Sequence, residues 1–163
     1  MQAPFKALYR DVPEKAVITL KAKGEIGGEG ITCKVATGRA MVEAGLHPAT
    51  GGDGLSLCSG DMLLEALAAC AGVTMKAVAT ALEMPLKSGT VSAEGDLDFR
   101  GTLGVDKTAP VGFRAIRLSF DIVCDASPDQ IATLMKLTER YCVVFQTLNK
   151  KPELTVQHRQ HTA

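Results

Sequence analysis

Residues 61–84, DMLLEALAACAGVTMKAVATALEM, constrain the fold more than any other stretch of the chain. They read as one long helix that is apolar around most of its circumference, and such a helix must be buried. A membrane span needs ~18 consecutive apolar residues, and Glu65, Lys76 and Glu83 interrupt this run. The expectation is therefore a core helix, with Asp61 as N-cap and Pro85 as its stop. On a 3.6-residue period the three charges fall within about 20° of one another and form a water-facing stripe. Cys70 lies about 140° around from that stripe. It shares its face with Leu63, Ala66, Leu67, Val73, Thr74 and Ala77. Those neighbours are small enough for a second helix to come close. Aromatics are only 4% of the chain and Trp is absent, so the core must be built from Leu, Val, Ile and Ala.

The flanking pattern is strand-like. AVITLKAK (16–23) reads as a strand, Gly24 to Gly30 as a glycine turn, ITCKVAT (31–37) as the hairpin partner and RAMVEA (39–44) as a third strand. A Gly-rich loop, 45–60, feeds the long helix. After it, 88–100 and 113–124 alternate as a long antiparallel hairpin. Ile116, Leu118, Phe120 and Ile122 lie on one face of the second strand, with Arg117, Ser119 and Asp121 on the other. Ser127-Pro128-Asp129-Gln130 is a capping box that opens a second helix running to about Asn149. ELTVQH (153–158) reads as a closing strand. The order β-β-(β)-α-β-β-α-β predicts an α+β fold, in one domain spanning 1–163 with its core at about 15–158.

Eighteen basic side chains balance eighteen acidic ones, which gives no electrostatic case for nucleic acid or an anionic membrane. The N-terminus, MQAPFKALYR, lacks a signal-type apolar region, so a cytoplasmic location is the expectation. Five cysteines, at 33, 58, 70, 124 and 142, contain no C-x-x-C. With three histidines, at 47, 158 and 161, they give no metal-ligand pattern, and no cofactor is expected.

Two readings of Cys70 stay open on the residues alone. It is a small buried hydrophobe, inert because burial raises a thiol pKa. Or it is a nucleophile, which requires a nearby cation or hydrogen-bond donors. The second helix carries an apolar arc of Ile131, Leu134, Leu137, Thr138, Tyr141, Phe145 and Leu148, with Cys142 at its flank. Each long helix thus carries one inward-leaning cysteine, and where the helices cross their sulfurs could meet.

Two segments, GGDGLSLCSGDMLLEALAACAGVTM (51–75) and ERYCVVFQTL (139–148), resemble the OsmC/Ohr proteins, the osmotically inducible and organic hydroperoxide resistance proteins. The resemblance covers about residues 15–158. It implies a swapped homodimer with antiparallel sheets wrapped around two long central helices. It also implies a thiol peroxidase, in which Cys70 attacks an organic hydroperoxide, Cys142 closes a disulfide and an external dithiol reopens it. The family's peroxidases hold the thiolate with an early arginine, which a glutamate at the helix start orients. Here Gly24–Gly30 has no arginine and Arg39 is the nearest candidate, while Gly60 stands at the glutamate position with Asp61 one residue on. The C-P of the family pattern is Cys142-Val143.

The competing functional expectation is a non-enzymatic dimer that binds a small lipophilic ligand between its helices. A structural stress protein without a ligand ranks behind both. Cys33 and Cys124 read as packing residues, Cys58 and His47 as loop residues, and Arg140 as either one half of a solvated pair with Glu139 or a substitute cation for Cys70.

Overall fold

The computed structural model describes residues 24–26, 32–36, 41–104 and 106–161. Residues 16–23 and Arg39 lie outside them, so the first expected strand and the candidate cation have no structural account. The chain divides into two compact units, Met1–Leu57 and Cys58–Ala163.

The first unit is an antiparallel meander. β1 (Gly24–Ile26) pairs with β2 (Thr32–Ala36), Gly24 opposite Val35, and β2 pairs with β3 (Met41–Gly45), Thr32 opposite Gly45. The two-residue β4 (Leu57–Cys58) ends the order β1-β2-β3-β4. The expected turn over Gly24–Gly30 is thus partly strand, because Gly24–Ile26 finds partners in the β2 ladder. Between β3 and β4, His47 caps a short 3₁₀ turn, its Nδ1 accepting from the Ala49 amide at 3.0 Å.

The second unit is built on α1 (Ser59–Ala81). Its N-cap is Cys58, not Asp61, which sits within the first turn. There a carboxylate still favours the helix start electrostatically. The C-terminus is closed by backbone alone. Glu83 takes a left-handed φ of 54°, which lets the Met84 amide reach Ala79 O at 2.9 Å and the Leu82 amide reach Val78 O at 2.9 Å. By length and composition α1 could cross a membrane. One flank of it is packed and the other is exposed. Leu67, Ala71, Met75 and Ala79, spaced by four, form a buried stripe against β5 (Leu86–Asp96), α3 (Pro128–Tyr141) and α4 (Val143–Asn149). Glu65, Lys76 and Glu83 are exposed, as their stripe predicts.

β5 pairs antiparallel with β6 (Ala115–Cys124), Asp96 opposite Ala115, with one register shift between Leu86 and Ser88. The alternation is as read from sequence: Ile116, Leu118, Phe120 and Ile122 turn inward, and Arg117, Ser119 and Asp121 are exposed. The loop between them holds a single-turn helix, α2 (Phe99–Thr102). Asp98 caps it and accepts from Arg100 Nη2 at 2.6 Å; the Arg100 guanidinium holds that carboxyl down to about 2. Gly95 is required by a close approach, since a Cβ there would run into the Phe113 ring.

Two departures matter for the site. The second long helix is broken. α3 ends at Tyr141, Cys142 takes an extended ψ of 107°, and α4 restarts at Val143. The expected closing strand at 153–158 has no strand partner among the described residues, and Leu154 and Val156 are 73% and 96% exposed. The architecture is mixed helix and antiparallel strand, an α+β fold.

Candidate functional site

The break at Cys142 creates the site. The Cys142 amide still donates to Thr138 O at 3.0 Å, and its carbonyl accepts from the Gln146 amide at 2.9 Å. Cys142 is therefore the last rung of one ladder and the first of the next. Gln146 Nε2 ties the joint back to Glu139 O at 2.8 Å. The amides of Val143, Val144 and Phe145, the first of α4, have no preceding helical carbonyls to bond. They act instead on the two neighbouring thiols, favouring the ionised form of each.

The Val144 and Val143 amides, the Cys142 thiol and the Thr74 hydroxyl are the groups that favour the ionised form of Cys70, which packs against Cys142. The two cysteines on separate helices are thus direct neighbours. Cys142 is 1% exposed and forms a buried cluster with Leu67 and Ala71, against which Cys70, Ile116, Leu118 and Phe145 pack. Cys70 itself is half-buried.

The two thiols are pushed apart electrostatically. Burial raises Cys70, but the Val144 amide, the Cys142 thiol, the Val143 amide and the Thr74 hydroxyl together outweigh it and hold the thiol below its ordinary value. Burial pushes the Cys142 thiol up, and the adjacent Cys70 adds to this, against the amides of Phe145 and Val144. Cys70 is thereby the more readily ionised thiol of the pair. No described cation is among the groups that act on Cys70.

The remaining residues singled out from sequence divide clearly. Asp61 is exposed, and no hydrogen bond or ion pair among the described residues reaches it. The Arg140 guanidinium lies 5.8 Å from the centroid of the Tyr141 ring on the exposed side of α3 and is not among the groups acting on Cys70. Cys124 packs at the edge of the Met75–Leu134 cluster, as a packing residue should. Thr74, Val143 and Val144 act on Cys70 and were not singled out from sequence. Thr74 was legible as an i+4 neighbour of Cys70. The amides depend on a helix break that no proline announces, although the β-branched pair Val143-Val144 is a weak signal for one.

Beside the thiols lies a pocket of about 360 Å³, lined by Leu67, Phe113, Ile116, Leu118, Phe145 and Leu148, with Arg114 and Asn149 as its polar members. Leu67, Ile116, Leu118 and Phe145 belong also to the cysteine cluster, so pocket and sulfurs share walls. No group of three or more metal-ligating side chains occurs among the described residues.

The family model described as OsmC-like protein matches residues 51–157, which contain both cysteines. The chain belongs to the OsmC-like protein family. No curated protein matches it. Among solved structures it resembles an OsmC-like protein of Mycoplasma pneumoniae, with TM-score 0.67 and 17% identity, covering 82% of this chain and 89% of that one. It also resembles an organic hydroperoxide resistance protein OsmC of Legionella pneumophila, with TM-score 0.63 and 18% identity over 81% and 90% of the two chains. A third is the organic hydroperoxide resistance protein OhrB of Bacillus subtilis, with TM-score 0.54 and 16% identity over 82% and 93%. At these identities the likeness is one of fold.

Proposed function

We propose that this OsmC-like protein is a thiol peroxidase that reduces organic hydroperoxides. The observation that carries the reading is the packing of half-buried Cys70 against Cys142 at the break between two helices. Relatives of the same fold are named for organic hydroperoxide resistance, which supports the substrate class. In the proposed reaction the Cys70 thiolate attacks the distal oxygen of ROOH. An S–O bond forms and the O–O bond breaks, giving sulfenic acid and an alkoxide that takes up a proton as ROH. Cys142, as thiolate, then attacks the Cys70 sulfur, and hydroxide leaves as water after gaining a proton. Two thiols and ROOH become a disulfide, ROH and H₂O. An external dithiol returns both cysteines to thiols and is itself oxidised to a disulfide. The pocket, with Leu67, Phe113, Ile116, Leu118, Phe145 and Leu148 in its walls, would receive the organic part of ROOH, favouring bulky peroxides over hydrogen peroxide.

The same reading includes a homodimer and a cytoplasmic location, where thiols stay reduced between turnovers. Arg39 and Asp61 carry no assigned role in the steps above. A second reading, a dimer that binds a lipophilic ligand without turning it over, is favoured by the pocket alone.

The deciding experiment follows consumption of cumene hydroperoxide in the presence of dithiothreitol. Turnover by the wild type, abolished in Cys70→Ser and leaving a stalled sulfenic acid in Cys142→Ser, is the expected result. Absence of turnover, with Cys70→Ser indistinguishable from wild type, would leave the binding reading.

A further inference from the structure

Gln146 bonds on both sides of the break in the second helix. Its backbone amide donates to Cys142 O at 2.9 Å, at the start of α4. Its side-chain Nε2 donates to Glu139 O at 2.8 Å, in the last turn of α3. A carbonyl oxygen only accepts, so the group that meets it must be the amide NH2 of the glutamine. In an unbroken helix the Glu139 carbonyl would take the amide four residues on, that of Val143. The extended ψ of 107° at Cys142 carries that amide away. An unbroken helix would also set residues 139 and 146 about 10 Å apart along its axis. The Gln146 side chain would then fall short of Glu139 O and find it already bonded. Its bond therefore exists in the broken form only. An interaction made in one of two forms shifts the population toward that form by its own strength.

We propose that Gln146 is a positioning residue: its side-chain amide replaces the Val143 amide on Glu139 O, holds the second helix broken and so keeps Cys142 seated against Cys70. The seat is the buried cluster of Leu67, Ala71 and Cys142, against which Cys70 packs and to which α4 brings Val144 and Phe145. A helix continued straight through Cys142 would carry α4 along the axis of α3 and withdraw Val144 and Phe145 from that cluster. Gln146 thus acts on the pair through the backbone at Cys142. This role rests on the proposed peroxidase reading for the use made of the two thiols, but not for the bond or the seat.

Cys142 is 1% exposed, so a thiol reagent reaches it only when it leaves its seat. Its labelling rate in the native protein therefore follows the ratio of unseated to seated forms, however small that ratio is. Labelling by methyl methanethiosulfonate is followed by peptide-resolved mass spectrometry, in a Cys70→Ser background so that reaction at Cys70 does not unseat its neighbour. Gln146→Met and Gln146→Glu keep the length of the side chain and, at neutral pH, lose its donor. One net hydrogen bond changes such a ratio by a factor of about five. Both variants should therefore label Cys142 about fivefold faster than the protein that retains Gln146. The rate should not respond to urea below the unfolding transition, the mark of a local opening. Should one variant fail to fold by circular dichroism, the other carries the test. An unchanged rate in a folded donor-free variant overturns the inference. So does a faster rate that climbs with urea as global unfolding does, since that result assigns Gln146 to overall stability. Faster labelling in the variants, with a wild type that turns over no hydroperoxide, would uphold the role of Gln146 and overturn the peroxidase reading instead.

Discussion

Two identical side chains in contact carry opposite chemistry here, and the difference comes from what surrounds each sulfur. Cys70 is lowered against the cost of burial by donors from two helices, while Cys142 is raised by burial and by Cys70. The sign of each pH dependence follows. Cys70, with its folded pKa below the unfolded one, adds stability that is full above the unfolded value and is lost as pH falls through the folded value. Cys142, raised, adds stability that is full below the unfolded value and is lost as pH rises through the folded value. The thiolate–thiol form therefore occupies the window between the two folded values. At neutral pH, iodoacetamide should modify Cys70 in the native protein and leave the 1% exposed Cys142 untouched until denaturant is added. Peptide mapping checks this, and equal labelling of both would contradict the asymmetry. The sequence already places Cys70 away from the charged stripe of its helix. It does not show how the thiol is activated, because the donors are backbone amides freed by a change of one ψ angle at Cys142.

The elements that were legible in sequence are those whose pattern is fixed by packing within this chain. The 116–122 alternation predicts the inward face of β6, and Ser127 and Gln130 form the capping box, with the Ser127 amide reaching Gln130 Oε1 at 2.9 Å. What was not legible depends on partners the local pattern does not name. The continuous apolar arc from Ile131 to Leu148 reads as one helix, yet it is divided at Cys142 so that each half covers a different stretch of α1. The first half supplies Leu134, which is 0% exposed and closes the cluster of Met75, Ala79 and Met84. The second supplies Val144 and Phe145 to the cysteine cluster. This division predicts that the two halves are energetically separable. Leu134→Ala should cost about 2–5 kcal/mol of unfolding free energy, the range for a buried leucine that leaves a cavity. It should leave the alkylation midpoint of Cys70 near that of wild type, because α4 and not α3 supplies the amide donors. Urea denaturation with parallel thiol titration measures both, and a loss of Cys70 reactivity in a folded Leu134→Ala protein would show the halves to be coupled.

At the scale of the molecule, several apolar surfaces remain uncovered by the described chain. The buried stripe of α1 lies to one side of Cys70; on the other side Leu63, Ala66, Ala69 and Val73 are exposed, Val73 by 72%. The face that Cys70 shares with Leu63, Ala66 and Val73, expected to meet the protein interior or an interface, is left open by the described elements that pack on this helix, β5, α3 and α4. β5 and β6 pair with each other and with no other described strand, although a two-stranded ribbon is marginal by itself. The alternating Leu154 and Val156 are bare on a segment read as a strand. A small-residue helix face, two open strand edges and an unpaired strand-like segment are what a second copy of the same chain could satisfy at once, face to face and edge to edge. Cys70, at the margin between the covered and the bare flank, would then lie close to the interface between the copies. Val73→Lys places a charge in the middle of the bare face without touching the buried stripe. Sedimentation velocity should give twice the chain mass for wild type and a shift toward the monomer for Val73→Lys. A wild-type protein that sediments as a monomer at micromolar concentration would mean that this face is covered from within the chain.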